Sequence, residues 1–165
     1  MTIIEANSSH IEYLSNFGSR SFIYSYQCTL PLDELKKYTN IAFAKSSILE
    51  EINSSLVTYF ICQDFNLNLC GYAKLVQSPT KGIELQRLYV DSDFRGHGIG
   101  KLLELQCELT VKNQGISGIW LRVWKGNTVA QDIYKKWKFK IIGEELYQVG
   151  QEQRTILLMR KSLLN

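Results

Sequence analysis

The sequence predicts an α/β (α+β) fold, in which a single mixed, mostly antiparallel sheet is flanked by helices. Three observations predict it. Two β-branched and aromatic runs, residues 56–62 and 69–77, flank Asp64-Phe65-Asn66-Leu67-Asn68, a turn composition, so the pair reads as a hairpin. From Ile83 onward the apolar spacing switches between strand and helix in the order β-α-β-α-β-β. A strand ending at Val90 passes through a glycine-rich turn, Arg95-Gly96-His97-Gly98-Ile99-Gly100-Lys101, directly into a helix.

Each element follows from its local sequence. Residues 2–6 suit a short first strand. Asn7, Ser8 and Ser9 are helix-capping residues ahead of a helix that begins near His10 or Ile11. Its apolar positions are Ile11, Leu14, Phe17, Phe22 and Tyr26, and Gly18 is expected to interrupt it. Pro31 opens a second helix, and a third covers residues 47–53. Pro79-Thr80-Lys81-Gly82 turns the hairpin into a third strand, residues 83–90. In the helix over about residues 98–113, positions 99, 102, 103 and 109 follow helical spacing and are expected to pack on the sheet; Gly115 ends it. A strand at 119–124 leads through Gly126-Asn127 to a helix at 128–137 that carries Ala130, Ile133, Tyr134 and Trp137 on one face. Residues 139–143 and 155–160 read as closing strands, with a strand and turn between them. No linker, repeat or low-complexity tract divides the chain, so residues 1–165 are expected to form one domain.

Composition excludes several functions. Apolar residues make up 45% and charged residues 21%, which is ordinary for a globular chain. A formal charge of +3, scattered along the sequence, does not suit nucleic-acid binding. The short basic clusters, Lys36-Lys37 and Lys135-Lys136 with Lys138 and Lys140, read as solvated surface. The four cysteines have no paired metal-ligand spacing and the two histidines, His10 and His97, are far apart, so no metal is expected. Cys62, Cys70 and Cys107 lie in apolar or amphipathic runs and are expected to be buried free thiols. The first residues lack the basic and apolar regions of a signal peptide, and no run approaches the ~20 apolar residues of a membrane span. A cytoplasmic location without a membrane partner is the expectation.

The glycine turn carries the chemistry. A strand, a sharp turn and a helix start aim unpaired amides and the positive end of the helix dipole at one point, where a phosphate-bearing ligand fits. A nucleotide P-loop would need Ser or Thr after Lys101, and Leu102 stands there. The GxGxxG dinucleotide spacing also fails, because Gly96, Gly98 and Gly100 alternate.

Arg95-Gly96-His97-Gly98-Ile99-Gly100 resembles the (Q/R)xxGx(G/A) pyrophosphate loop of the GNAT superfamily of acyl-coenzyme A-dependent N-acetyltransferases. The strand and turn before it, Leu88-x-Val90-x-x-x-x-Arg95-Gly96, and the leucine-rich helix after it are similar too. Downstream, Asn127-x-x-Ala130-x-x-x-Tyr134-x-x-x-x-Phe139 resembles a second signature of that superfamily. Together these segments cover roughly residues 83–142. Within the superfamily, residues 121–127 and the tail at 147–151 resemble bacterial polyamine acetyltransferases of the PaiA type. The tail departs from that type at Gln151 and Thr155, where acidic residues are expected, and Lys138 replaces the usual glycine before Phe139. If that position needs positive φ, the lysine is strained.

The resemblance implies acetyl-CoA as cosubstrate, no metal, and a primary amine of a small acceptor, a polyamine among the candidates, as the group acetylated. It implies that the backbone amides of Gly96, His97, Gly98, Ile99, Gly100 and Lys101, with the Arg95 charge, hold the pyrophosphate. It implies that Leu88, Tyr89 and Val90 flank the pantetheine arm, and that Asn127 and Ala130 lie beside it. Tyr134 is then the acid that protonates the departing thiolate, since a tyrosine of pKa ~10 is protonated at pH 7. Glu84, six residues before Val90, is the candidate general base, against a plain strand-end glutamate. Asp33, Glu34, Glu50 and Glu51 are the carboxylates nearest the expected acceptor wall, and Phe22, Tyr24 and Tyr26 could line it or serve as core. The alternatives are acetylation of a protein N-terminus or lysine, and an acyl-CoA-binding sensor without turnover. A homodimer is the family habit.

Overall fold

A computed structural model describes residues 1–149 and 152–163. Its seven strands form one sheet in the order β1-β2-β3-β4-β5-β7-β6. The strands are β1 (Thr2–Glu5), β2 (Val57–Gln63), β3 (Leu69–Ser78), β4 (Gly82–Val90), β5 (Gly118–Trp124), β6 (Lys140–Val149) and β7 (Glu152–Ser162). Three helices, α1 (Ile11–Tyr26), α2 (Leu32–Ala42) and α3 (Lys45–Ile52), precede β2. Helix α4 (Ile99–Asn113) joins β4 to β5, and α5 (Thr128–Lys136) joins β5 to β6. Every neighbouring pair is antiparallel except β4 and β5. The mixed, mostly antiparallel sheet expected from the sequence is therefore present.

The sheet buries both faces. On one, Phe60, Ala73, Leu75, Ile83, Leu85, Leu121 and Met159 pack under Ile99, Leu103, Cys107 and Val111 of α4. On the other, Tyr59, Ile61 and Tyr72 pack against Leu14 and Phe17 of α1 and Ile48 of α3. Truncating a fully buried leucine such as Leu14 or Leu103 to alanine would cost about 2–5 kcal/mol. The cysteines are all free, and Cys62, Cys70 and Cys107 are buried as expected while Cys28 is exposed.

Three local expectations need correction. Gly18 does not interrupt α1, which runs unbroken for 16 residues. A Cβ there would lie 2.6 Å from the Phe43 ring and 2.8 Å from the Tyr72 hydroxyl, so the glycine serves close packing rather than a break. Helix α4 is turned about its axis relative to the expected face: Leu102, Leu105 and Leu109 are exposed, and the buried positions include Glu104 and Glu108. These carboxylates tolerate burial because Lys161 of β7 reaches both of them and Lys101 bonds Glu104. The closing strands form one long hairpin of β6 and β7, in which a register shift between Ile141 and Gly143 absorbs the irregularity. Of the tail departures, Gln151 lies outside the described residues, and Thr155 pairs with Leu146 in that hairpin.

The ends of α4 and α5 are built alike. Ile116 N–H bonds the Val111 carbonyl and Gly115 N–H bonds that of Lys112, with Gly115 at φ 71°. Phe139 N–H bonds the Tyr134 carbonyl and Lys138 N–H bonds that of Lys135, with Lys138 at φ 71°. Both are Schellman closures, which require a left-handed residue one position past the cap. Lys138 occupies a position that favours glycine, as its place in the sequence suggested.

Candidate active site

Strands β4 and β5 pair at only two positions, Ile83 with Ile119 and Glu84 with Trp120. Beyond them the strands part. From Gln86 to Val90 the edge of β4 that faces β5 has no strand partner among the described residues. An extra residue near Gln86 shifts the register between β3 and β4 at this point, and such a bulge bends a strand away from its neighbour. The gap opens into a cleft of about 600 Å³. Its walls come from β4, the C-terminal half of α1, the first turn of α4, the end of β5, and α5. An open strand edge of this kind accepts an extended ligand that carries amides.

At one end of the cleft lies the glycine turn. A 3-10 turn at Ser92–Phe94, capped by the Asp91 side chain, delivers the chain to Arg95. Gly96 (φ 81°) and Gly98 (φ 78°) are left-handed, and both would have open space around an added Cβ. Backbone conformation, not crowding, therefore selects glycine there. Gly98 is the N-cap of α4 and supplies no capping side chain; the first internal bond runs from Leu102 N–H to the Gly98 carbonyl. The amides of residues 99–101 thus have no intrahelical acceptor at a positive helix end. Arg95 stands over the Tyr24 ring at 5.1 Å, with Nε 3.4 Å from the Val90 carbonyl and no carboxylate partner among the described residues. The Lys101 ammonium is engaged by Glu104. The His97 ring turns back to the Arg95 carbonyl at 3.0 Å.

Across the cleft, Asn127 caps α5 by accepting from Ala130 N–H at 3.1 Å. Gln131 secures the turn before it, donating to the Lys125 carbonyl at 2.6 Å. Seven residues past Asn127, Tyr134 lies edge-on to Trp137 at 5.8 Å and to Phe139 at 5.7 Å. Its hydroxyl has no hydrogen-bond partner among the described residues, and burial pushes its pKa well above the ordinary tyrosine value. The group is a phenol, not a phenolate, at neutral pH. Trp137 also approaches Gly100, where a Cβ would meet the indole at 3.4 Å, so α5 and the glycine turn pack closely.

Of the residues singled out from sequence, Leu88, Tyr89, Val90, Arg95, Gly96, Gly98, Ile99, Gly100, Lys101, Asn127, Ala130 and Tyr134 all line this one cleft. His97 and Glu84 are not among its lining residues. Glu84 sits where β4 and β5 still pair, and both its oxygens accept from Arg122 Nη1, at 2.9 and 3.0 Å. Burial raises its pKa, and the Arg122 charge opposes that rise. Of the expected wall aromatics, Tyr26 lines the cleft, Tyr24 lies under Arg95, and Phe22 packs on Tyr38. Asp33 and Glu34 pair with Lys37 on the surface, and Glu51 bonds Lys74 and Tyr59 in the interior. None of the four expected carboxylates lines the cleft.

Sequence reading missed Ser21, Ser25 and Arg122 as lining residues. Arg122 was within reach: Ile119, Leu121 and Val123 are buried, so the alternation of β5 assigns Trp120, Arg122 and Trp124 to the opposite face. Ser21 and Ser25 carry no such signal, because only the placement of α1 over the sheet brings them to the opening. No group of three or more His, Cys, Asp or Glu side chains suited to a metal occurs among the described residues.

Comparison with known proteins agrees with this geometry. A spermidine N(1)-acetyltransferase of Thermoplasma acidophilum is 28% identical over 134 residues, 79% of this chain and 83% of that one. An uncharacterized N-acetyltransferase of Mycobacterium tuberculosis is 29% identical over 96 residues, 58% of this chain, and the match spans only 62% of that relative's length. Among solved structures, the PaiA N-acetyltransferase of Thermoplasma acidophilum in complex with coenzyme A superposes with a TM-score of 0.82 at 24% identity, covering 98% of this chain and 99% of that one. At that identity the likeness is one of fold. The sequence profile of the Acetyltransferase (GNAT) family matches residues 21–139, well over half of the chain. The chain belongs to the acetyltransferase (GNAT) family.

Proposed function

We propose that residues 1–165 act as one domain that transfers the acetyl group of acetyl-CoA to a primary amine of a small acceptor, by direct attack in a ternary complex. The observation that carries this reading is the parting of β4 from β5 at the mouth of an uncapped, glycine-opened helix. The pyrophosphate would lie on the free amides of residues 99–101, with those of the turn before them, beside the Arg95 guanidinium. The pantetheine arm would run along the open edge of Leu88, Tyr89 and Val90 in place of the missing strand. That path leads the thioester into the cleft lined by Tyr134.

The chemistry then needs few groups. The neutral amine attacks the thioester carbonyl carbon, the tetrahedral oxyanion collapses, and the C–S bond breaks. Tyr134, kept protonated by burial, gives its proton to the departing thiolate and recovers one from the new ammonium. Glu84 enters this scheme as the group that orients Arg122, since its oxygens are already engaged. The acceptor releases its first proton to water in the open cleft. Among small amines, a polyamine is supported by the name of the Thermoplasma relative, and opposed by a cleft wall that has arginines but no carboxylate among the described residues.

The test is Tyr134→Phe, which keeps both ring contacts and removes only the hydroxyl. Acetyl-CoA-dependent thiol release should fall about 100-fold or more while coenzyme affinity by calorimetry stays within twofold. Unchanged turnover would remove Tyr134 from the mechanism. No heat of coenzyme A binding to the wild-type protein would end the whole reading.

A further inference from the structure

The acceptor half of the cleft has a charge pattern that its fold does not explain. Arg87 follows the bulge in β4, lines the cleft, and is 9% exposed. Its guanidinium lies 4.1 Å over the Phe43 ring, donates to the Ala42 carbonyl at 3.2 Å, and reaches the Tyr59 hydroxyl at 3.5 Å. Those two bonds leave most of its five N–H donors without a protein acceptor. The nearby carboxylate, Glu51, is engaged by Lys74 and by the Tyr59 hydroxyl, and Arg87 has no ion pair among the described residues. Arg122, the other arginine on this half, differs: Glu84 and Glu145 both bond it.

Glu51 acts on Arg87 only at a distance, through the Tyr59 hydroxyl they share, and a buried guanidinium that no carboxylate bonds directly, set in a cleft wall, is suited to an anionic ligand. Arginine presents a planar fork that fits a carboxylate through two parallel bonds. Ser21, on the facing wall, offers a further hydroxyl, while that of Ser25 donates to the Ser21 carbonyl. A di- or polyamine would instead meet Arg87 across a wall with no carboxylate among the described residues. Resting on the acetyl-transfer reading above, we infer that the acceptor is a small amine that also carries a carboxylate, as an amino acid does, and that Arg87 is the specificity-determining residue that binds this carboxylate.

Matched pairs that differ only by the carboxylate test this: glycine and methylamine, β-alanine and ethylamine, L-ornithine and putrescine, L-lysine and cadaverine. Thiol release at saturating acetyl-CoA is measured for each, and calorimetry records binding of each to the coenzyme A-loaded protein. At least one carboxylate-bearing member should exceed its partner tenfold or more in kcat/KM. Arg87→Gln should lower its kcat/KM about 10- to 100-fold, chiefly through KM, and erase the preference within the pair. Arg87→Lys should restore part of the preference, and coenzyme A affinity should not move in either variant. A folding defect would depress both members of a pair and coenzyme binding together, so the ratio within a pair isolates the contact. Preference for the decarboxylated member in every pair, no preference in any pair, or an equal loss on both members in Arg87→Gln would overturn the inference while leaving acetyl transfer intact. Failure of the protein to bind coenzyme A would overturn the transfer reading itself.

Discussion

Replacing Lys138 by glycine should make the protein more stable, although it removes a whole side chain. Lys138 is the left-handed residue of the closure that ends α5, at φ 71°. An L-residue pays about 1–2 kcal/mol to hold that conformation. Glycine has no such penalty, but its greater freedom in the unfolded chain returns about 0.5–1 kcal/mol. The lysine side chain is exposed and has no ion pair or hydrogen bond among the described residues, so its loss adds little. The balance is a gain of about 0.5–1 kcal/mol for Lys138→Gly, or roughly 1–4 °C in the unfolding midpoint of a chain this size. Lys138→Ala controls for the lost charge near the helix end, since alanine keeps the strain. Equilibrium urea unfolding of the three proteins should rank glycine first, with wild type and alanine below it. The bonds from Phe139 to Tyr134 and from Lys138 to Lys135 are backbone bonds, so turnover should survive the change. A glycine variant no more stable than the alanine variant would refute the strain argument.

Gly18→Ala should destabilise by about 1–3 kcal/mol, although alanine is the better helix former, because its methyl group would press on Phe43 and Tyr72; urea unfolding with no loss would contradict that packing. Lys74 is 3% exposed and its pKa is pushed down to about 8, mainly by burial and by the Arg87 charge, with Glu51 opposing. At this position the unfolded chain binds more protons than the folded one above pH 8, so the Lys74 contribution to stability rises with pH. Lys74 alone should add about 1.5 kcal/mol between pH 8 and 9.5. Burial raises the thiols of Cys62, Cys70 and Cys107, which works in the opposite direction over this window, so the Lys74 contribution is read as a difference: the unfolding free energy of wild type minus that of Lys74→Met should rise by that amount, and a flat difference would contradict it.

The parts of this protein that were legible in sequence are those dictated by neighbours along the chain. Gly96 and Gly98 mark a backbone that only glycine adopts easily, and Asn127 ahead of an amphipathic run marks a helix start. Both land on the same cleft. The face that α4 buries was not legible, because the pairing that lets Glu104 and Glu108 go inside depends on Lys161, more than fifty residues away in sequence. Gly18 misled for the same reason. Its partners, Phe43 and Tyr72, are distant in the chain, so a packing glycine looked like a helix breaker. Glu84 was picked by its position on the strand before the loop, and its engagement by Arg122 of the next strand could not be seen from that position. Arg87 lies on the same strand, and its lack of a direct ion pair among the described residues is visible only once the surrounding side chains are in place.

The two-rung junction between β4 and β5 has a consequence for the cohesion of the sheet. Four strands on one side and three on the other are joined within the sheet by only two paired positions, Ile83–Ile119 and Glu84–Trp120. A ligand lying along the open edge of β4, as proposed above, would brace this seam, and its release would leave the two halves held by that short junction and by the core they share under α4. On the proposed reading, catalysis and architecture share one gap: the chemistry falls where the sheet pairing is least complete.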